Sequence, residues 1–178
     1  MLISVRKGIG TGPTELAAFD QALVNAGVAN FNLLYLSSVL PPGSDVRREH
    51  HITPVAGEWG DKLYVVMAQS RTNKVNREAW AGVGWIQDAV TKKGLLVEHE
   101  GDSEQEVHSD ITHSLSGLAL NRGIDFGEQH MEMAGVKCTG DPVCALVVAV
   151  FESEGWANAT PESKIRTIAN KLRARSKK

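Results

Sequence analysis

The sequence is poor in the residues and patterns that mark several large classes of protein. Two of its 178 residues are cysteine, Cys138 and Cys144, which are too few for a disulfide framework or a zinc site built from cysteines alone. We therefore expect buried thiols and a reducing, cytoplasmic location. No apolar run is long enough to cross a bilayer, and residues 1–7 lack the basic-then-apolar order of a secretion signal. No membrane contact is expected.

Charge of one sign is also scarce. The formal net charge is −2, so no general attraction to nucleic acid is expected. The exception is a basic C-terminal tail at residues 157–178. This tail contains no aromatic residue that could stack on bases, so we interpret it as a solvated, weakly amphipathic helix rather than a nucleic-acid arm.

The usual catalytic motifs are missing as well. There is no nucleophile elbow, phosphate-binding P-loop, zinc-protease helix or cysteine–histidine signature. Gly8 and Gly10 lack the third glycine of a dinucleotide fingerprint, so residues 8–12 are predicted to form a flexible turn. No metal site is predicted, because the adjacent histidines at 50–51 point in different directions.

The sequence does contain a regular alternation of strand and helix patterns over a single domain, residues 1–178. Strands are predicted at 2–5, 32–36, 63–68, 80–90, 94–100, 126–137 and 143–151. Helices are predicted at about 13–25 and 103–121, each followed by a capping glycine. Leu16, Phe19 and Leu23 form the predicted buried stripe of the first helix.

The order β-α-β, β-β, β-α-β-β predicts two related units whose sheets pack face to face with the helices outside. Within this plan, strand 63–68 is expected to pair with 80–90, and strand 126–137 with 143–151. Gly82 and Gly84 interrupt one strand pattern and indicate a bulge or a close approach of another element.

The most unusual stretch is residues 32–42, an apolar strand that runs into a serine pair and stops at two prolines. Strain is often stored at such a junction. If the Ser38 hydroxyl attacks the Ser37 carbonyl, the peptide becomes an ester, and elimination followed by hydrolysis leaves a pyruvoyl group at residue 38. Such a ketone binds an amine and acts as an electron sink. A serine pair alone does not predict this chemistry.

This stretch, NLLYLSSVLPP at 32–42, resembles the self-cleavage segment of pyruvoyl-dependent arginine decarboxylases, and so does ELAAFDQALVNAGV at 15–28. The likeness continues to about Trp156 mainly in the order of strands and helices. It implies an α+β fold, a four-layer α/β/β/α sandwich with a duplicated β-α-β-β unit. It also implies a homotrimer of cleaved protomers with active sites between neighbouring subunits.

The resemblance implies that the chain is cut between Ser37 and Ser38. Residues 1–37 would become a small β chain, and residues 38–178 a large α chain that begins with the pyruvoyl cofactor generated from Ser38. Asn32 would assist this processing or polarise a carbonyl.

The resemblance also implies how substrate is handled. Asp20 would receive the guanidinium of arginine, which a carboxylate matches well, and Leu16 would line the pocket. Glu98 would be the proton donor. Glu100 stays open as an alternative, because His99 replaces the family's aromatic residue between them and both carboxylates face the same side of the strand.

The implied function is decarboxylation of L-arginine to agmatine and carbon dioxide, which consumes one proton in each turnover. Two alternatives remain open. One is the same chemistry on another amino acid, such as histidine. The other is a non-enzymatic scaffold of the same fold that never cleaves itself, since fold alone does not decide function.

Overall fold

The computed structural model describes residues 1–50 and 53–156, so His51 and the basic tail lie outside the described residues. The strands are β1 Leu2–Thr11, β2 Asn32–Tyr35, β3 Val39–Leu40, β4 Asp45–Arg48, β5 Lys62–Thr72, β6 Glu78–Gln87, β7 Gly94–Gly101, β8 His130–Lys137 and β9 Val143–Glu154. Helix α1, Glu15–Ala26, follows β1, and helix α2, Glu104–Arg122, follows β7.

These strands form two sheets, with the orders β2-β5-β9-β1-β4 and β3-β7-β6-β8. The central strand of the first sheet is β9, which is antiparallel to both β1 and β5 and is apolar on both faces. The edge strands β2 and β4 run parallel to their neighbours, so the first sheet is mixed. All pairs of the second sheet are antiparallel.

Three apolar cores separate four layers. Val66, Val83 and other strand residues fill the space between the two sheets. A second core joins α1 to the first sheet, and a third joins α2 to the second sheet, around residues such as Ile111. The order is therefore α1, first sheet, second sheet, α2, which confirms the predicted α/β/β/α sandwich. The duplicated β-α-β-β unit stays a prediction.

Both helices end at the glycine that the sequence predicts as a cap, whereas α1 begins after Thr14 and not at the predicted position 13. The Thr14 hydroxyl accepts the Ala17 N–H at 3.1 Å and starts α1, and Ser103 caps α2 in the same way. Gly27 and Gly123 end the two helices with left-handed φ angles of 76° and 59°. These caps determine where α1 ends before β2 and where α2 begins after β7.

The buried face of α1 differs from the predicted stripe. Of the predicted stripe, Leu23 is buried, whereas Leu16 is 68% exposed and Phe19 is only half-buried. Ala18, Ala22 and Ala26 are completely buried in their place. Small residues occupy this face because β1 passes directly beneath the helix.

The predicted turn at residues 8–12 is wrong, because β1 continues through Thr11. A Cβ at Gly8 would lie 2.1 Å from the carbonyl oxygen of Ala22, and a Cβ at Gly10 would lie 2.0 Å from that of Ala18. The glycines therefore serve close packing of a strand on a helix, and not a flexible loop.

Two predicted strand pairs are also wrong. β5 and β6 lie in different sheets, and so do β8 and β9. Each connection crosses between the sheets because each sheet is covered by a helix on one face and by the other sheet on the opposite face, so apolar strands are stable in either. β6 pairs with β7 instead, and α2 packs over Gly82 and Gly84, where an added Cβ would meet Ile111 at 2.7 Å and 2.3 Å.

Three expectations drawn from absences can be compared with the structure. Both cysteines are buried free thiols, and burial raises the pKa of Cys144 to about 11, which keeps this thiol protonated. No helix within residues 1–50 and 53–156 is long and apolar enough to span a membrane. Within the same residues, no three or more His, Cys, Asp or Glu side chains are grouped to hold a metal ion.

Replacing Gly10 with alanine tests the close packing of α1 on β1. The added Cβ would lie 2.0 Å from the Ala18 carbonyl oxygen and 2.5 Å from the Ala22 nitrogen, so the helix has to move. We expect the free energy of unfolding in a urea titration to fall by about 3 kcal/mol. The control is Gly140→Ala, where a Cβ meets nothing within 4 Å. Equal losses in the two variants would contradict this account of the packing.

Candidate active site

The chain crosses from one sheet to the other at the serine pair. β2 ends at Tyr35 in the first sheet, and the N–H of Leu36 still donates to a β5 carbonyl at 2.9 Å. β3 begins at Val39, which pairs in the second sheet. Ser37 and Ser38 are the link between these two anchored segments. The predicted strand end is confirmed, and the junction also bridges the two sheets.

The backbone is strained at Ser38. Its φ angle is 63°, in the left-handed region that few residues other than glycine adopt, at a cost of about 1–2 kcal/mol. The carbonyl of Ser38 accepts the Leu96 N–H at 2.8 Å, which locks the second sheet to the crossing. The surrounding sheets hold the serine in this conformation, as is common at functional sites.

The hydroxyl of Ser38 donates to the carboxylate of Glu98, with distances of 3.0 Å to Oε1 and 2.9 Å to Oε2. Side chains alternate along β7: Leu96 joins the core between the sheets, whereas Val97 joins the core under α2. Glu98 and Glu100 therefore face the crossing side. Of these two carboxylates, Glu98 is the one that contacts Ser38.

Two open cavities meet at Glu98 and His99. The larger, of about 490 Å³, lies between the crossing and α2 and is lined by Ser38 as well as by Ser114, Gly117 and Asn121. We call it the α2 cavity. The other, of about 340 Å³, contains Tyr35, Gln69 and Glu100, and we call it the β5 cavity.

His99 is anchored on the opposite side of β7 from Glu98. Its Nε2 lies 2.8 Å from the hydroxyl of Ser114 on α2. The imidazole therefore ties the strand that carries Glu98 to the helix that walls the α2 cavity.

Asn32 lies away from Ser38 in the same protomer. β2 is extended, so Asn32 is already about 10 Å from Tyr35, at about 3.3 Å per residue, before the chain reaches the serine pair. Its side-chain amide donates to the Gly60 carbonyl at 2.6 Å, and the indole N–H of Trp156 donates to the same oxygen at 2.9 Å. Its role in processing stays a prediction.

Asp20 and Leu16 lie on the solvent side of α1, which covers the outer face of the first sheet. Neither residue lines the two cavities beside Glu98. The structure thus brings Ser38 and Glu98 together within one protomer, and leaves Asp20, Leu16 and Asn32 on other surfaces. Their assigned roles also stay predictions.

Sequence reasoning missed the contribution of α2. Ser114, Gly117 and Asn121 line the α2 cavity and lie three and four residues apart, on one face of the helix. The available signal was Gly117, a glycine in the interior of a helix, where it lowers helix stability without an evident reason.

The residues around Ser38 fit a pyruvoyl group made from that serine. The hydroxyl that would attack is present, the backbone at the residue is strained, and a carboxylate lies within hydrogen-bonding distance. The cavities on both sides of Glu98 leave room for a small molecule beside residue 38.

Fold and site together define a class: a four-layer α/β/β/α sandwich whose candidate site is a strained serine held against a glutamate where the chain crosses between sheets. Over residues 2–155 the chain matches the family described as pyruvoyl-dependent arginine decarboxylase. The chain belongs to this family. The recognition made from residues 15–42 is confirmed, and the family's name includes the pyruvoyl cofactor.

Individual relatives carry the same name. A pyruvoyl-dependent arginine decarboxylase of Halobacterium salinarum is 40% identical over 152 residues, which cover 84% of this chain and 92% of the relative. One from Methanococcoides burtonii is 35% identical over 127 residues, which cover 68% of this chain and 69% of the relative. One from Thermoplasma volcanium is 36% identical over 102 residues, covering 56% and 55%, so there the matched region spans about half the length of the relative.

The strain at Ser38 can be measured with a pair of variants. Ser38→Ala and Ser38→Gly both remove the hydroxyl and its contact with Glu98, so they differ mainly in tolerance of the φ angle of 63°. We expect the glycine variant to be more stable than the alanine variant by about 1 kcal/mol in urea titrations. If alanine is equal or better, the left-handed conformation is not a source of strain.

Proposed function

We propose that this protein is a self-processing, pyruvoyl-dependent decarboxylase that converts L-arginine to agmatine and carbon dioxide. The observation that carries the proposal is the hydrogen-bonded contact of the Ser38 hydroxyl with Glu98 at a strained crossing. Membership of a family named for arginine and pyruvoyl supports the substrate and the cofactor. The expected location is the cytoplasm, where Cys138 and Cys144 stay reduced.

Self-cleavage begins at the Ser38 hydroxyl. The oxygen attacks the carbonyl carbon of Ser37, the bond from that carbon to the Ser38 nitrogen breaks, and an ester joins the two residues. Loss of the α-proton of residue 38 then expels the Ser37 carboxylate and leaves dehydroalanine. One water molecule replaces the nitrogen, which departs as ammonia, and leaves the ketone. The hydrogen bonds from the Ser38 hydroxyl to the Glu98 carboxylate support Glu98 as the group that takes the hydroxyl proton at the start.

A pyruvoyl group at residue 38 would supply a ketone that can take up the substrate amine and serve as the electron sink for the loss of carbon dioxide. The chain's own contribution is to deliver a proton. Glu98 lies beside residue 38, so it is the carboxyl group that would protonate the substrate α-carbon after the carboxylate has gone. Glu100 lies one pleat further along β7 and lines the β5 cavity, but it does not line the α2 cavity that contains Ser38, so it is less well placed for this step.

Substrate binding requires a second protomer in this proposal. Leu16, Asp20 and Val24 lie four residues apart on one exposed face of α1, and both apolar side chains are exposed. Tyr35 and Val39, beside the serine pair, are exposed as well. If α1 of one subunit covered the crossing of its neighbour in a homotrimer, these apolar groups would be buried together.

The same packing would bring Asp20 and Leu16 to the neighbour's Ser38. There Asp20 would bind the arginine guanidinium as a charge-assisted pair, and Leu16 would line the pocket. Asn32, which lies far along β2 from its own Ser38, would likewise act on a site assembled at the subunit interface.

Mass spectrometry of the purified protein tests the processing step. We expect two fragments, residues 1–37 and residues 38–178, with a blocked N-terminus on the larger one. Ser38→Ala should remain a single chain, because it lacks the nucleophile. Ser37→Ala should still be cut, since residue 37 supplies only its carbonyl. A wild-type chain that stays intact after prolonged incubation would refute the proposed enzyme.

The Asp20→Asn variant tests guanidinium recognition. Loss of the charged partner should lower kcat/KM for arginine about 100-fold, corresponding to roughly 3 kcal/mol, as measured by carbon dioxide release from labelled arginine. Self-cleavage should be unchanged, because Asp20 does not line the cavities at its own Ser38. The exposed Asp141→Asn is the control. Unchanged arginine turnover, or equal turnover of histidine by the wild type, would show that this assignment is wrong.

A further inference from the structure

The α2 cavity carries a feature that the proposed function does not use. Gly117 lies in the interior of α2, a helix of 19 residues, where glycine lowers helix stability. A Cβ built at Gly117 meets nothing within 4 Å. By contrast, a Cβ at Gly82 would lie 2.7 Å from Ile111, so packing explains that glycine. Within residues 1–50 and 53–156, no packing contact explains Gly117.

Because Gly117 has no side chain, nothing projects from this position of α2 into the cavity. The residue lines this space of about 490 Å³ together with Ser38 and Glu98. A larger side chain at position 117 would project into the cavity without disturbing the rest of the fold. The cavity is therefore a space next to the reacting residues whose size is set by the missing side chain.

The two cavities that meet at Glu98 differ in the charge they accept. The α2 cavity is lined by the hydroxyl of Ser114, the amide of Asn121 and the imidazole of His99, and Glu98 is the one carboxylate among the described residues that line it. The β5 cavity contains a second carboxylate, that of Glu100. An anionic group is accordingly better accommodated on the α2 side, and a cationic side chain on the other.

An α-amino acid held with its α-carbon at Glu98 has two arms, the carboxylate and the side chain. We propose that the α2 cavity receives the α-carboxylate of the substrate, and that Gly117 is a specificity-determining residue that leaves room for it. This inference rests on the proposed decarboxylase function and adds the orientation of the substrate in the site.

The lining of the α2 cavity suits a group that loses its charge. Neutral hydroxyl and amide donors from Ser114 and Asn121 hold a carboxylate weakly, and Leu118 contributes an apolar surface. Because the carboxylate becomes uncharged carbon dioxide, apolar walls favour the transition state over the bound substrate. A cationic residue in this place would instead stabilise the starting carboxylate and oppose the reaction.

Binding of two ligands that differ only in the carboxylate tests the proposal. Processed protein whose pyruvoyl carbonyl has been reduced with borohydride binds ligand without turnover, so calorimetry can give dissociation constants for arginine and for agmatine. We expect Gly117→Leu to weaken arginine about tenfold or more and agmatine less than about twofold. Gly117→Ala should show a smaller loss in the same direction and keeps the helix intact. Ser116→Leu, one position away on α2, should change neither constant.

Kinetics on the unreduced enzyme provide the second readout. The kcat/KM for arginine should fall in Gly117→Leu, whereas the inhibition constant of agmatine should stay unchanged. Equal losses for both ligands, or no loss for either, would overturn the assignment of the carboxylate while leaving the decarboxylase proposal intact. A wild-type protein that is not cleaved and does not release carbon dioxide from arginine would instead overturn the proposed function and this inference with it.

Discussion

The structure depends on one constraint, the passage of the chain from the first sheet to the second within two residues. The backbone N–H of Leu36 is still hydrogen-bonded to β5, and Val39 is already paired with β7. This short span leaves Ser38 in a left-handed conformation with its carbonyl held by Leu96. The same span holds the Ser38 hydroxyl within hydrogen-bonding distance of Glu98. The strained backbone at Ser38 and the contact of its hydroxyl with Glu98 therefore arise from a single feature of the topology.

The rest of the fold packs around the two sheets that the crossing connects. Alanines on α1 and the glycines at positions 8 and 10 allow the helix to lie directly on β1, so the first sheet is held from outside. α2 does the same for the second sheet by packing Ile111 over Gly82 and Gly84. Alternation along β7 then sends Glu98 to the crossing and His99 to α2, where it contacts Ser114. The site is thus built on strands supported from both faces.

The parts of this picture that could be predicted are those governed by local sequence. The capping glycines that end both helices and the end of pairing at Leu40 follow from residue types and spacing. Strand partners did not follow, because strands that are apolar on both faces, such as β5 and β9, are compatible with either sheet. The role of Gly8 and Gly10 could not be predicted for a related reason. They are required by the way α1 lies on β1, and local sequence does not specify that packing. Glu98 was assigned to the site of Ser38 from the family resemblance. Spacing could not have indicated it, because the two residues are 60 positions apart.

The central claim is that the hydroxyl of Ser38 cuts the chain, and the path of oxygen tests it most directly. Precursor isolated before cleavage would mature in water labelled with heavy oxygen, and the mass of fragment 1–37 would then be measured. In the proposed route the new carboxylate oxygen of Ser37 comes from Ser38, so this fragment should gain no label. Incorporation of one heavy oxygen into fragment 1–37 would mean that water cut the peptide, and would contradict the account.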